Sequence, residues 1–292
     1  MQSPLANPLA TISQLETSAS QLDGIPRDLE DSIRFASARL TQAAGILLRL
    51  PQEVIAQAII VFMRFSVGGE GGSWAEHNAH DVSAASIYLA AKLSAWPKSP
   101  RSVMHVYTYL NSLSSTFVDL EELHKKKDAE EYYVSEGTYE RKRITLFTTE
   151  QQILKVLGFS VAVALPYTLC ITYLQALDVF SHPRSSDLSK RAFAHLNTAL
   201  LSPQLLYLTH QPSSLATAAI YLAAKETKIM LPELEWWEVF DTDREELGFL
   251  VVGMLSVGNF AEEEKRKWAG RKVPLRVEEV EKEMKSREKE SG

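Results

Sequence analysis

The stretch Ile87-Tyr88-Leu89-Ala90-Ala91-Lys92 recurs without change as Ile220-Tyr221-Leu222-Ala223-Ala224-Lys225, 133 residues further along the chain (87 to 220). Small residues precede both copies, at positions 83–86 and 216–219. Because small side chains let neighbouring helices approach closely, each copy is predicted to be the central, surrounded helix of a bundle. The interval is too long for a solenoid repeat, which indicates two copies of a whole small domain.

Apolar residues at helical spacing predict five helices around each copy. The predicted helices cover residues 29–50, 51–62, 81–94, 99–113 and 139–157, and then 166–180, 188–201, 213–226, 232–240 and 243–257. Pro51 suits the first turn of a helix, Ser213 and Asp243 are typical N-cap residues, and Gly158 is a typical C-terminal cap. Few stretches resemble strands. The predicted fold is therefore all-α, with two tandem five-helix bundles.

The composition divides the chain into four predicted parts. Residues 1–27 are rich in Ser, Ala, Gln and Thr and are predicted to be a flexible tail. Residues 28–160 and 161–258 are the two bundles, and a polar stretch of mixed charge at 114–137 is predicted to be solvated surface. Residues 259–292 are rich in Glu, Lys and Arg and are predicted to be a charged helical or disordered extension.

The overall composition excludes several classes of function. A net charge of −6 argues against a dedicated nucleic-acid binder, so no direct nucleic-acid contact is expected. The single cysteine, Cys170, cannot form an intrachain disulfide or a cysteine zinc site, and its apolar surroundings predict burial. The N-terminus has no basic and then apolar leader, and the most apolar run, 161–177, is too short and too polar to span a membrane. An intracellular protein without a membrane partner is therefore expected.

Two features that could indicate a ligand are better explained by structure. The glycines of the 67–78 stretch are not followed by the Lys-Ser or Lys-Thr of a phosphate-binding loop, so a flexible helix connection is predicted. His77 and His80 have no cysteine nearby and are predicted to be solvated loop histidines rather than metal ligands. No metal or cofactor is expected.

Four sequence segments, in this order and spacing, resemble the cyclin family. They are Leu40 to Gln52 (first helix and turn), Phe62-Met63-Arg64-Phe65 (end of the second helix), Tyr88 to Lys92 (third helix) and Glu150 to Phe159 (fifth helix). The likeness covers residues 29–257 and is greatest to the transcription- and splicing-associated cyclins of the L type. Cyclin Q is the other candidate, because Trp236-Trp237-Glu238-Val239-Phe240 resembles its second box.

The resemblance implies a non-catalytic regulatory subunit that binds and activates a cyclin-dependent Ser/Thr kinase in transcription-coupled pre-mRNA processing. In the family, the first box packs on the small lobe of the kinase and on the helix that carries its active-site glutamate. The lysine and glutamate that hold this helix correspond to Lys92 and Glu150. The family also implies a nuclear location, with the cytoplasm as a further compartment, and a second protein partner on the second box.

The chain departs from the family pattern in three places. Leu93-Ser94-Ala95-Trp96 follows Lys92 where the family has one or two acids, although Pro97 and Arg101 keep part of the pattern. The hydrophobic substrate-docking motif of cell-cycle cyclins is not evident, and the Arg-Ser-rich tail of animal cyclin L is missing. The chain also has no hydrolase elbow, zinc-protease motif or kinase signature, so it is not expected to be an enzyme.

Two alternatives to a kinase activator remain open at this point. A cyclin-fold adaptor or scaffold could act in transcription without a kinase, although such factors carry a zinc ribbon and basic surfaces that one cysteine and an acidic chain do not supply. A purely structural all-α scaffold would give Lys92 and Glu150 no effect on any partner.

Overall fold

The computed structural model describes residues 6–68, 71–125, 129–232 and 234–291, and all regular structure within them is helical. The predicted all-α fold is confirmed. The α-helices of the described residues are α1 Ile12–Glu16, α2 Ala19–Leu22, α3 Arg27–Leu47, α4 Gln52–Val67, α5 Ala79–Leu93, α6 Pro100–Ser112, α7 Leu120–His124, α8 Glu136–Val156, α9 Pro166–Ala176, α10 Ser185–Ala199, α11 Leu206–Thr209, α12 Pro212–Thr227, α13 Arg244–Lys267 and α14 Val277–Ser291. Within these residues, no helix combines the length and apolar character that crossing a membrane requires.

The chain divides into two compact units. The first unit comprises residues 11–161 together with 264–291, and the second comprises residues 6–10 together with 162–263. Each unit contains one copy of the repeated hexapeptide, on α5 in the first and on α12 in the second.

In the first unit, α5 is the surrounded helix that the small-residue pattern predicts. It packs against α3, α4, α6 and α8, and its residues Val82 to Ala91 are all buried. Close approach is visible at Gly45 of α3, where an added Cβ would overlap the Cγ1 atom of Ile55 and meet the Cδ1 atom of Ile87 at 3.3 Å. Pro51 precedes α4 as its N-cap residue, so the turn between α3 and α4 lies where the sequence predicts it.

In the second unit, α12 takes the corresponding place. It packs against α9, α10 and α11, and all but one of the residues from Ser214 to Ala224 are buried. The exception is Tyr221, whose ring lies at the edge of the unit. Cys170 of α9 is fully buried, as predicted, and burial raises the pKa of its thiol to about 12. The buried thiol is therefore protonated and unreactive at neutral pH.

The prediction of a helix over 232–240 is wrong. Within the described part of this segment, only Glu238–Phe240 is helical, as a single 3-10 turn, and Asp241 ends it in the left-handed region at φ 56°. Contacts among three aromatic side chains hold this turn. Phe240 stacks on Tyr173 with 3.9 Å between ring centroids, and Trp236 contacts Phe240 at 6.0 Å.

One of the two predicted N-caps is confirmed. Asp243 accepts a hydrogen bond from the Glu246 amide at 2.8 Å and caps the start of α13. Ser213 does not cap α12, because Pro212 occupies the first turn and shifts the N-cap to Gln211. At the end of α8, Gly158 adopts φ 54° and the Phe159 amide donates to the Leu154 carbonyl, so the predicted C-terminal cap is confirmed.

The N-terminal segment, which its composition predicts as a flexible tail, forms α1 and α2 within residues 6–26. The polar residues that suggested disorder act as caps, since the Thr11 and Ser18 hydroxyls accept from backbone amides. The Asn7 side chain donates to the Ala164 carbonyl and accepts from its amide, both at 2.8 Å. Residues 1–5 lie outside the described residues.

The C-terminal segment is helical over Val277–Ser291 and belongs to the first unit. Four apolar side chains of the region after α13 are buried: Trp268, Val273, Leu275 and Val280. The Leu275 carbonyl accepts from the His80 amide, and the Val277 amide donates to the Asn78 side chain. These two hydrogen bonds join the segment to the start of α5.

The two histidines predicted to be solvated are both packed. His80 lies in the first turn of α5, with its side chain only 12% exposed, and its ring meets Tyr107 edge-on at 5.4 Å between centroids. His77 packs edge-on against Phe65 at 5.4 Å. In the glycine-rich connection, a Cβ on Gly72 would overlap the Phe65 carbonyl, so this glycine allows close packing rather than flexibility. Residues 69, 70 and 126–128, which belong to the predicted loop and charge run, lie outside the described residues.

Candidate functional site

Lys92 and Glu150 lie 58 positions apart in the sequence and are brought into contact by the packing of α5 on α8. The Lys92 ammonium donates to the Glu150 Oε1 atom at 3.1 Å. Lys92 lies in the last turn of α5, where the helix dipole favours a cation. Glu150 lies in the interior of α8, on the same stripe as the buried residues Leu146 and Ile153.

The two partners differ in exposure. The Lys92 side chain is 54% exposed, whereas that of Glu150 is 9% exposed. The hydrogen bond that the ammonium donates to Glu150, together with the attraction between the two charges, raises the pKa of Lys92. A buried carboxylate is costly unless it is paired, so the pair fixes Glu150 and leaves a cationic group at the surface.

Apolar side chains on the two segments that carry this pair are exposed. Leu93 and Trp96 follow Lys92 and are 57% and 47% exposed, and Ile144 and Phe147 of α8 are 64% and 41% exposed. The rings of Phe147 and Tyr88 lie 6.0 Å apart, and the Lys92 ammonium lies 5.7 Å from the Tyr88 ring centre. We call Leu93, Trp96, Ile144 and Phe147 the apolar rim of the Lys92–Glu150 pair.

Sequence reasoning missed this rim. Their apolar character favours placing Ile144 and Phe147 with Ile153 on one buried side of α8, but of these three only Ile153 is buried. The buried stripe of α8 instead contains Tyr139, Leu146, Glu150 and Ile153, at helical spacings of seven, four and three. Positions 144 and 147 fall on a different helix face from position 146, but the sequence alone does not say which of the two faces is buried.

The repeat counterpart of Lys92 has a different environment. Lys225 of α12 lies 4.7 Å from the centre of the Tyr221 ring, and its neighbour Glu226 pairs with Arg191 and His195. Arg101 lies over the Tyr139 ring at 4.3 Å and within 3.4 Å of Glu136. Of the two copies, only the one in the first unit therefore joins its lysine to a buried acid within the described residues.

The chemistry that this site offers is recognition. In the part of the chain that the structure describes, no group of three or more His, Cys, Asp or Glu side chains is placed to hold a metal ion. A lysine held by a carboxylate and bordered by exposed apolar side chains can fix the register of a partner through polar contacts, while apolar burial supplies the affinity.

Comparison with known proteins finds cyclins. No family model matches the sequence. Cyclin-L1 of Gallus gallus is 31% identical over 254 residues, which cover 87% of this chain and 44% of the relative. Cyclin-L2 of Mus musculus is 32% identical over 244 residues, which cover 83% of this chain and 43% of the relative. The chain thus spans less than half the length of these curated relatives.

Two solved structures share the fold. A chain of the yeast RNA Pol II CTD kinase CTDK-1 complex matches with a TM-score of 0.65 and 15% identity, over 97% of this chain and 84% of the other. A chain of the Chaetomium thermophilum CAK complex bound to ATP-γ-S matches with a TM-score of 0.52 and 15% identity, over 89% and 76%. At these identities the structures establish the fold alone. It is the sequence relatives, 31% and 32% identical over 87% and 83% of this chain, that show the chain to belong to the cyclin family and to resemble its L type.

Proposed function

We propose that this chain is the non-catalytic regulatory subunit of a cyclin-dependent Ser/Thr kinase, which it binds through the Lys92–Glu150 pair and activates. The observation that carries the proposal is the contact itself: the two residues matching the kinase-binding positions of the family meet at 3.1 Å, and the segments that carry them also expose apolar side chains. Relatives named cyclin L over most of this chain support it.

The proposed partner surface is the small lobe of the kinase and the helix that carries its active-site glutamate. A protein kinase is active only when that glutamate pairs with the strand lysine at the phosphates, so the position of the helix controls phosphoryl transfer. A subunit that binds only the inward position of the helix increases the population of that position. Activation therefore requires no catalytic group from this chain.

The two residues have different roles in this proposal. A lysine ammonium has three donors, and the bond to Glu150 uses one of them. The remaining donors of Lys92 can reach backbone carbonyls or an acid of the kinase helix. Glu150 positions the ammonium, and the apolar rim of Leu93, Trp96, Ile144 and Phe147 contributes buried area around it.

The wider assignment is also a proposal. We assign the kinase contact to the first cyclin box, residues 28–160, and a further protein partner to the second, residues 161–258. We place the complex in transcription-coupled pre-mRNA processing, and hence in the nucleus, because the relatives are of the L type. The test is nuclear fluorescence of the tagged chain, together with phosphorylation of the RNA polymerase II C-terminal domain by the co-purified kinase.

The central experiment is co-purification of the tagged chain from extract of its own cells. The unchanged chain is compared with Lys92→Ala, Lys92→Ala/Glu150→Gln and Lys225→Ala, and any bound kinase is identified by mass spectrometry and assayed. Lys225→Ala is the matched control, because it removes the same residue from the same position of the repeated hexapeptide.

We expect the unchanged chain and Lys225→Ala to recover an active kinase, and the double variant to recover at least about tenfold less, since losing a charge pair that the interface buries costs about 2 kcal/mol or more and about 1.4 kcal/mol is tenfold. Kinase recovered equally by all four chains would retain the activator role and overturn the assigned site. If no chain recovers a kinase, the activator role is wrong and the cyclin-fold adaptor takes its place.

A further inference from the structure

In the second unit, the segment that follows α12 brings a group of aromatic side chains together. In the first unit, the helix after α5 is the four-turn α6, whereas in the second unit the segment after α12 contains only the 3-10 turn Glu238–Phe240 within its described residues. Tyr173 and Phe240 stack at 3.9 Å, Trp236 and Trp237 meet at 6.0 Å, and Trp237 meets Tyr221 at 6.3 Å. These rings form a continuous aromatic base that joins α9, α12 and the turn.

Three aliphatic side chains of the same segment face solvent. Met230 is 86% exposed, Leu234 is 81% exposed and Val239 is 78% exposed. All three are more exposed than Leu93, Trp96, Ile144 or Phe147 of the proposed kinase site. We call Met230, Leu234 and Val239, together with the aromatic base, the second-unit patch.

Acidic side chains flank the patch. Glu235, Glu238, Asp241, Asp243, Glu245 and Glu246 all fall within residues 234–246, where Arg244 is the one basic residue. Among the described residues, no ion pair neutralises Glu235, Glu238 or Asp241. The charge of Asp241 acts on the aromatic base, because it adds to burial in raising the pKa of Tyr173. A strongly negative rim attracts cations and repels anions, which excludes nucleic acid as the occupant.

A contact within the chain shows that the aromatic base can bind a cation. Lys225 lies over the Tyr221 ring, 4.7 Å from its centre, in a cation–π contact at the border of the patch. Arginine is better suited to such faces than lysine, because its planar guanidinium stacks on aromatic rings and also bonds carboxylates. The patch therefore combines apolar side chains, aromatic faces and carboxylates, which together complement a basic segment carrying apolar anchors.

We propose that the second-unit patch is a docking site for a basic segment of a partner protein, in which Arg or Lys alternates with apolar residues. The apolar anchors cover Leu234 and Val239, and the basic side chains meet Glu238 and Asp241 on the flank. The site is separate from the Lys92–Glu150 pair, so the proposal stands or falls independently of kinase activation.

The test uses fluorescence anisotropy of labelled twelve-residue peptides with the full chain. The peptides alternate Arg with Leu, Arg with Ser, or Glu with Leu, so that charge and apolar anchors are varied one at a time. The chain variants are Leu234→Ser/Val239→Ser, which removes the anchoring surface, and Glu238→Gln/Asp241→Asn, which removes two charges. Asn suits position 241 because it tolerates the left-handed backbone there. The matched control is Glu278→Gln/Glu281→Gln, which removes two charges from α14.

We expect the unchanged chain and the control variant to bind the Arg–Leu peptide, and to bind the other two peptides about tenfold more weakly. Binding of the Arg–Leu peptide should fall about tenfold in Leu234→Ser/Val239→Ser. It should fall about two- to fivefold in Glu238→Gln/Asp241→Asn, since each exposed ion pair contributes little, and the loss should disappear in high salt. Because the substituted side chains are exposed, the variants should fold like the unchanged chain, and circular dichroism and urea denaturation check this.

Three results would overturn the proposal. The first is absence of binding by the Arg–Leu peptide, and the second is equal loss in the α14 control, which would show attraction to net charge alone. The third is concentration-dependent dimerisation in sedimentation that Leu234→Ser/Val239→Ser abolishes, which would make a second copy of this chain the occupant.

Discussion

At the scale of single residues, a substitution at the Lys92–Glu150 pair can tell a role in kinase binding from a role in folding. Because Lys92 is more than half exposed, solvent weakens its bond to Glu150, and exposed pairs typically contribute 1 kcal/mol or less. Lys92→Met/Glu150→Gln removes both charges of the pair, so that no unpaired carboxylate is left buried. We expect it to lower the free energy of unfolding by about 1 kcal/mol at most, measured by urea denaturation, while kinase recovery falls severalfold. A stability loss as large as the binding loss would assign the pair to folding.

A second residue-scale prediction concerns Asp31 of α3. Burial, with a smaller contribution from the carboxylates of Glu30 and Glu264, raises the pKa of Asp31 to about 6, although Arg34 lies 3.7 Å away. A carboxyl group whose pKa is higher in the folded than in the unfolded chain binds its proton more tightly when folded. Stability therefore rises as pH falls from about 6 towards 4, and the charged form destabilises the fold above pH 6.

Asp31→Asn removes this charge and is expected to stabilise the chain at pH 7.5. The gain should be about 1 to 3 kcal/mol, since each pKa unit corresponds to about 1.4 kcal/mol and part is lost with the attraction of Arg34. Urea midpoints of the variant and the unchanged chain should converge at pH 4. The same substitution at exposed Asp23 is the control. A loss of stability at pH 7.5 would mean that the Arg34 contact outweighs burial.

The residue scale also shows how far sequence can reach. The identities of Lys92 and Glu150 came from family resemblance, and the structure places them in contact. Their roles in kinase binding stay a prediction. The burial of Glu150 and the exposure of Ile144 and Phe147 could not be read from average helix periodicity, because α8 has a polar composition and its buried stripe includes a carboxylate. Which stripe of such a helix is buried depends on the helix it packs against.

At the scale of elements, α3 and α4 pack closely where Gly45 meets Ile55. A Cβ at Gly45 would overlap Ile55 Cγ1 and lie 2.7 Å from its Cδ1, so Gly45→Ala is expected to destabilise the chain despite the higher helix propensity of alanine. The expected net cost is about 1 to 2 kcal/mol. Gly258→Ala, in the interior of α13 where nothing lies within 4 Å of the added Cβ, is the control and should stabilise by up to about 1 kcal/mol.

A double-mutant cycle tests whether this contact is the cause. Ile55→Ala alone leaves a cavity and should cost about 2 to 5 kcal/mol. In Gly45→Ala/Ile55→Ala the new methyl group enters the space that Ile55 leaves, so the double variant should be at least about 1 kcal/mol more stable than the two separate losses predict. Additive losses, measured by chemical denaturation, would show that the overlap is relieved elsewhere.

Elements were predictable where local signals agreed. The central helices α5 and α12 follow from small residues and apolar periodicity, and the cap at Gly158 follows from glycine in the left-handed region. The segment 232–240 misled because its aromatic residues are compatible with a helix, but stacking of Phe240 on Tyr173 of α9 holds a turn instead. That contact joins residues far apart in sequence, so local periodicity carries no information about it.

At the scale of the whole molecule, the C-terminal segment belongs to the first unit although it follows the second in sequence. Composition predicted a charged extension, and the charges do contribute: Arg287 and Lys267 both bond the Asp28 carboxylate, at 2.9 and 3.0 Å. The four buried apolar residues between Trp268 and Val280 were too few to mark a packed segment by composition. Their spacing could have indicated it, but the start of α5, to which the segment is hydrogen-bonded, could not be identified without the fold.

The last prediction follows from this placement. A chain ending at Lys267 loses the burial of Trp268, Val273, Leu275 and Val280, and should be less stable by about 2 to 5 kcal/mol after the entropy of the released segment is subtracted. The loss should be confined to the first unit. Hydrogen exchange of backbone amides should therefore accelerate in α3 and α5 and stay unchanged in α9 and α12. A chain ending at Glu288 keeps Arg287 and all four buried residues and should exchange like the full chain. Faster exchange in α12 would contradict the division into units. Unchanged exchange in α5 would show that the hydrogen bonds joining His80 and Asn78 to the segment contribute nothing to the stability of that helix.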